Sequence, residues 1–163
     1  MIVAGIGARA SATADEIVRA VVECCERNGI DPSEVGKLAC LDRPATVAIL
    51  RAAVDQLTAT SGDDGKTDGD DNRTMDDNSR TMDDRISVRQ GMEILSFSVV
   101  DLQLQADRCA TQSEKSMAAT GVPSVAEAAA LAAAGPEGML LAPRVAFTTV
   151  TVALAIGPGA TSP

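Results

Sequence analysis

The chain has no histidine, tryptophan or tyrosine, and its only aromatic side chains are Phe97 and Phe147. Without histidine, serine–histidine–aspartate and cysteine–histidine catalysis are excluded, as is every histidine-containing zinc site. Acid–base chemistry is left to a carboxylate, a lysine, a cysteine or a ligand group. So few rings leave almost no platform on which single-stranded nucleic acid could stack. A net charge of -9 opposes approach to a phosphate backbone. No apolar run reaches membrane-spanning length. The short apolar start lacks the basic leader of a signal peptide. These absences lead us to expect a cytoplasmic protein with no nucleic-acid or membrane partner, no metal and no cofactor.

What remains is enough for one domain with a core across its 163 residues. The apolar share comes from Ala, Val, Leu and Ile. The four cysteines, Cys24, Cys25, Cys40 and Cys109, form no C-x-x-C pair. They read as reduced, buried or half-buried thiols, with a metal or redox role as the alternative.

Strand and helix signals alternate along the chain. Ile2–Gly5 reads as a short buried strand ended by a Gly5-Ile-Gly7 turn. Thr13-x-x-Glu16 is a capping box that opens a helix to about Asn28, with Ile17, Ala20, Val21 and Cys24 on one face. Leu38–Leu41 reads as a second strand, followed by a helix whose inner stripe is Val47, Leu50, Val54 and Leu57. Ile94–Ser98 reads as a third strand. Val99–Arg108 reads as a short helix with Val99, Leu102 and Ala106 inward, and Ser113–Thr120 as a further helical turn. Met139–Pro143 and Phe147–Ile156 are close enough to pair as an antiparallel hairpin. Alternation of this kind predicts an α/β layered sheet.

Composition changes abruptly in the middle. Gly62 to Arg85 holds nine aspartates and an imperfect repeat, Asn72-Arg-Thr-Met-Asp-Asp77 then Ser79-Arg-Thr-Met-Asp-Asp84. It meets the calcium-loop pattern in no register. We expect residues 59–90 to be a disordered acidic insertion within the single domain 1–163, and 157–163 to be a flexible tail.

The most specific stretch is Gly121-Val-Pro-Ser-Val-Ala-Glu-Ala-Ala-Ala-Leu-Ala-Ala-Ala-Gly135. Ser124 and Glu127 have capping-box spacing, and Pro123 stiffens the approach. The alanines favour helix with almost no bulk, so the helix can lie close to a sheet. Gly135 supplies a left-handed cap and Pro136 blocks continuation. The helix N-terminus faces a Thr-Gly loop and suits an anion.

This run resembles the T-G-x-P-S-V-A-E-A-A-A-L segment of the CobE and CbiG C-terminal family of cobalamin (vitamin B12) biosynthesis. Met1-Ile-Val-Ala-Gly-Ile-Gly-Ala-Arg9 is similar to that family's opening strand and G-x-G-C-R turn. Leu140-Leu-Ala-Pro-Arg144 with Val150–Ala155 is similar to its closing strands. The resemblance covers nearly everything except the central insertion. It implies a three-layer α/β/α sandwich with a mostly parallel central sheet. It also implies a tetrapyrrole (precorrin or corrinoid) ligand, with other cobalamin-pathway enzymes as possible partners. In that family, full-length CbiG opens the ring-A lactone of a cobalt-precorrin and releases acetaldehyde. This chain matches only the C-terminal part, which implies an accessory or carrier role with lactone hydrolysis as a further possibility. Ala8 stands where the family commonly has Cys, and Arg43-Pro44-Ala45 where it often has a lysine and an acidic residue. Arginine cannot replace a proton-transfer lysine.

Ligands of open parallel sheets bind beyond the C-terminal strand ends. The positions expected at that rim are Gly5, Gly7, Arg9, Asp42, Arg43, Ser98, Thr120, Gly121, Ser124, Glu127 and Arg144. Arginine forks and helix amides suit the acetate and propionate groups of a corrin precursor. Each residue also has a plain structural explanation. The glycines fit a tight turn, Arg9 and Arg43 a solvated surface, and Ser124 and Glu127 a helix cap. Thr148, Thr149 and Thr151 fit a strand by propensity alone.

Two other readings stay open. Gly5-x-Gly7-x-x-Ala10 fits a dinucleotide-binding pattern, although the helix cap comes late, at Thr13, and Asp42 lies too far along. The altered catalytic-looking positions and acidic insertion also suit a degenerate, non-catalytic paralogue.

Overall fold

A computed structural model describes residues 1–60 and 92–158. Most of the expected insertion and the end of the expected tail therefore lie outside the described residues.

The described residues form a sheet of six strands: β1 (Ile2–Ala8), β2 (Val35–Leu41), β3 (Glu93–Phe97), β4 (Met139–Leu140), β5 (Val145–Ala146) and β6 (Val150–Ile156). The order is β3-β2-β1-β6-β4, with β5 also paired to β6. β1, β2 and β3 are parallel neighbours. β6 runs antiparallel to β1, β4 and β5, so only β6 opposes the common direction. The expected hairpin is present, with Met139 opposite Ile156 and Leu140 opposite Ala155.

Strand alternation sends successive side chains to opposite faces and creates two cores. Ile2, Ala4 and Ile6 of β1 and Val150, Val152 and Leu154 of β6 face α1 (Ala14–Arg27) and α2 (Pro44–Thr60). Val3, Ala39, Ala153 and Ala155 face α5 (Val125–Ala134) and Leu102 of α3 (Val99–Gln103). This is the expected three-layer α/β/α sandwich. Val99 departs from expectation: it is 36% exposed, while Leu102 alone of that helix is buried. The remaining helix, α4 (Glu114–Thr120), carries a Ser113 cap.

Local chemistry explains the ends. Thr13 and Glu16 complete their capping box at the start of α1. Ser124 Oγ accepts from Glu127 N–H at 3.4 Å, but Glu127 does not return the bond to Ser124. Its carboxylate is drawn elsewhere, as described below. Gly135 ends α5 at φ 90° and ψ -176°. That conformation is essentially open to glycine alone and differs from the expected left-handed helical cap.

The stripped-down α5 lies almost on the sheet. A Cβ at Gly5 would fall 1.9 Å from Ala126 O and 2.6 Å from Ala130 N. Gly5 is thus a packing residue: only a missing side chain lets the helix backbone reach β1. Among the described residues no single helix is long and apolar enough to cross a membrane.

Candidate functional site

A cleft of about 340 Å³ opens where β1 and β2 end and β6 begins. Because β6 runs against its neighbours, its first residues share this rim with the C-terminal ends of β1 and β2. Gly7, Ala8 and Arg9 come from the end of β1, and Leu41 and Arg43 from the end of β2. Thr46 reaches it from the first turn of α2, and Val125 and Ala126 from the first turn of α5. Ser113, Lys115, Ser116 and Thr120 contribute the α4 wall. Arg144, Phe147 and the threonines 148, 149 and 151 close the remaining side.

Among the described residues four lining side chains are cationic, Arg9, Arg43, Lys115 and Arg144, and none that lines the cleft is Asp or Glu. The salt bridges among the described residues are Arg27–Glu23 and Lys37–Glu93, neither of which involves the cleft. In a chain of net charge -9 this is a local reversal of sign. Like charges gathered along a concave surface focus an attractive potential on an anion.

Buried hydrogen bonds fix the cleft walls. Glu127 is fully buried, one helical turn below the α5 N-terminus. Its Oε1 accepts from Thr111 Oγ1 at 2.9 Å and from Arg144 N–H at 3.0 Å, and its Oε2 accepts from Thr111 N–H at 2.9 Å. The Arg144 backbone is thereby tied to α5. Farther along the same side, Thr149 Oγ1 donates to Glu16 Oε2 at 2.9 Å, tying the β6 approach to the α1 cap. Thr120 Oγ1 donates to Ser116 O at 2.8 Å, and Ser113 Oγ accepts from Ser116 N–H at 3.3 Å. Ser116 Oγ is buried and has no hydrogen-bond partner among the described residues.

The cysteines supply no nucleophile. Burial pushes the Cys25 thiol up to about 12, and Cys40 and Cys109 to about 11. Burial also raises Cys24. For Cys109 the neighbouring Glu127 charge adds to the rise. All four are protonated at neutral pH and weakly reactive. Among the described residues no cluster of three Cys, Asp or Glu side chains could hold a metal.

The sequence matches the family described as "Cobalamin synthesis G C-terminus" over residues 2–61 and 85–155. The chain belongs to that family. Residues 62–84 lie between the two matched segments. Among solved structures, the cobalamin biosynthesis protein chiG from Agrobacterium tumefaciens str. C58 is 27% identical, with a TM-score of 0.61. That match covers 97% of this chain and 99% of the other. CobE, a protein from the cobalamin (vitamin B12) biosynthetic pathway, shares the fold at a TM-score of 0.70 and 22% identity, over 95% of this chain and 89% of CobE. A cobalamin biosynthesis protein G homologue from Sulfolobus solfataricus shares it at 0.60 and 17% identity, over 95% of this chain but only 36% of that longer one. No curated protein matches significantly.

In this CobE/CbiG-like chain the structure brings together five of the expected positions: Gly7, Arg9, Arg43, Thr120 and Arg144 all line the cleft. The other six do not line it. Gly5 lies beneath α5. Asp42 is exposed, and its N–H donates to Phe97 O at 2.8 Å. Ser98 caps α3, Gly121 closes α4, and Ser124 is buried as the α5 cap. Glu127 braces the wall from behind. Sequence reasoning missed Lys115, Ser116 and Thr46, and explained the threonines of β6 by strand propensity alone. The dinucleotide reading loses support from this geometry. Among the described residues no carboxylate lines the cleft to receive ribose hydroxyls, and Thr13 at the α1 cap does not line it.

Proposed function

We propose that this cobalamin-biosynthesis protein binds a precorrin or corrinoid intermediate at the cationic cleft and serves the pathway as an accessory or carrier protein. The observation that carries the reading is the set Arg9, Arg43, Lys115 and Arg144, gathered on one rim with no lining carboxylate among the described residues. Arginine forks pair with carboxylates through parallel charge-assisted hydrogen bonds, and lysine adds a compact charge. The acetate and propionate arms of a tetrapyrrole present such groups side by side. Val125 and Ala126 in the first turn of α5 add a helix N-terminus, which favours the same sign of ligand.

Chemistry on the ligand is less well supplied than binding. Glu127 is buried with its oxygens committed, and the thiols are protonated. In this reading, lactone opening with acetaldehyde release is completed together with another pathway enzyme.

The test is a spectral titration with hydrogenobyrinic acid and late precorrins. The lack of Trp and Tyr leaves the near-ultraviolet nearly clear of protein bands. We expect saturable band shifts, weakened about tenfold by Arg144→Ala or Arg43→Ala, equivalent to about 1.4 kcal/mol. Flat spectra from folded protein would refute the proposal.

A further inference from the structure

We infer that the cleft selects its ligand by ionisation: it grips a cluster of neighbouring carboxylates at the edge of a larger molecule and rejects that molecule once they are neutral carboxamides. This rests on the tetrapyrrole reading and narrows it.

Size is the first argument. At about 340 Å³ the cleft sits near the lower end of the roughly 300–1,000 Å³ typical of small-molecule sites. A four-ring macrocycle with its acidic arms does not fit inside. Several arms from one edge do, and the rest of the ring then stands outside the rim.

The second argument is donor and acceptor chemistry. Guanidinium and ammonium groups donate hydrogen bonds and accept none. A carboxylate only accepts, so it matches Arg9, Arg43, Lys115 and Arg144 in both charge and bonding. A carboxamide keeps one acceptor oxygen but brings two N–H donors that need acceptors. Among the described residues no lining carboxylate is there to receive them. The Thr149 and Thr120 hydroxyls donate to Glu16 and to the Ser116 carbonyl and keep acceptor lone pairs, so they offer an amide neutral hydrogen bonds but no opposite charge. An amidated edge therefore loses the charge attraction of Arg9, Arg43, Lys115 and Arg144, and the neutral hydrogen bonds that remain are the weaker ones.

The third argument is Ser116. Ser116 lines the cleft, and its hydroxyl oxygen is buried and without a partner among the described residues. Such a group normally finds a hydrogen bond. A carboxylate arm reaching the α4 wall supplies an acceptor for it.

The experiment compares three probes by calorimetric titration against the full chain: hydrogenobyrinic acid, its fully amidated counterpart, and tricarballylate, a small acyclic tricarboxylate. The expected result is that the acid binds about tenfold or more tightly than the amide. Tricarballylate should compete with the acid, and added salt should weaken both. Ser116→Ala should lower affinity for the acid while the circular dichroism spectrum stays unchanged. Equal affinity for acid and amide would overturn the inference and leave the tetrapyrrole reading standing. Binding of tricarballylate with none of hydrogenobyrinic acid would support carboxylate selection and defeat the tetrapyrrole reading. Silence from all three probes with folded protein would overturn both.

Discussion

Glu127 Oε1 accepts the backbone N–H of Arg144 at 3.0 Å from a position with no exposed surface. The residue that crosses from core to rim is therefore anchored by a carboxylate it never meets with its own guanidinium. Glu127→Ala would leave the Arg144 amide and both Thr111 donors without their acceptor. Unsatisfied buried donors cost about 1–3 kcal/mol each, and partial access of water reduces the sum. We expect a loss of about 3 kcal/mol in a denaturant titration. Glu127→Gln keeps Oε1 for Arg144 and Thr111 Oγ1 but turns an N–H₂ toward the Thr111 amide. It should cost less, about 1–2 kcal/mol. Equal stability of the parent and both variants would show that the brace does not hold the wall.

Two glycines two positions apart, Gly5 and Gly7, should respond differently. A Cβ at Gly5 collides with α5 backbone, which cannot swing aside as a side chain does. Gly5→Ala should cost about 3 kcal/mol or prevent folding. At Gly7 the nearest atom to an added Cβ is 3.7 Å away, an ordinary contact. Gly7→Ala should change stability by no more than about 0.5 kcal/mol. Comparable melting temperatures for the two variants would contradict this close approach.

Glu16 gives a pH dependence with a defined sign. Its carboxyl is held below the ordinary 4.5, chiefly by the Thr13 backbone N–H and then by the Thr149 hydroxyl. A depressed carboxylate contributes stability that is complete above its unfolded value and disappears as pH falls through the folded one. The Glu16 contribution is thus intact at neutral pH and lost below pH 4.5. Glu16→Gln should flatten that part of the acid limb in a plot of melting temperature against pH. An acid limb identical to the parent's would remove Glu16 from the account.

The acidic repeat offers a test by deletion. The family match resumes at residue 85 after stopping at 61. Closure entropy changes slowly with loop length, so shortening the connection should matter little. We propose that residues 62–84 are dispensable for folding. Their removal should leave the melting temperature within a few degrees of the parent's; a large fall would make the segment part of the fold.

How far the sequence revealed the molecule depended on the range of each interaction. Thr13 and Glu16 are three apart, and their capping box was visible as spacing. The Ser124 and Glu127 spacing looked the same, yet Glu127 turns to Thr111 and Arg144, 16 and 17 positions away. Nothing local distinguishes the two cases. The strand-end rule located Arg9 and Arg43 because β1 and β2 point at the rim. It did not locate Thr149 and Thr151, because β6 is antiparallel and delivers its beginning there. Asp42 and Ser98 obeyed the rule in position and failed it because a strand end fixes where the backbone arrives, not what the side chain lines. Lys115 required knowing that α4 folds over the cleft.

The near-absence of side chains between α5 and β1 has a mechanical consequence. Most interlayer contacts pass through long apolar groups that can change rotamer and absorb a small error. At Gly5 peptide backbone rests almost against peptide backbone, with alanine methyls and Val3 as the filling around it. The first turn of α5, which forms one wall of the cleft, is therefore gauged by the sheet itself, and a single methylene added beneath it would shift a side of the ligand site as a rigid piece.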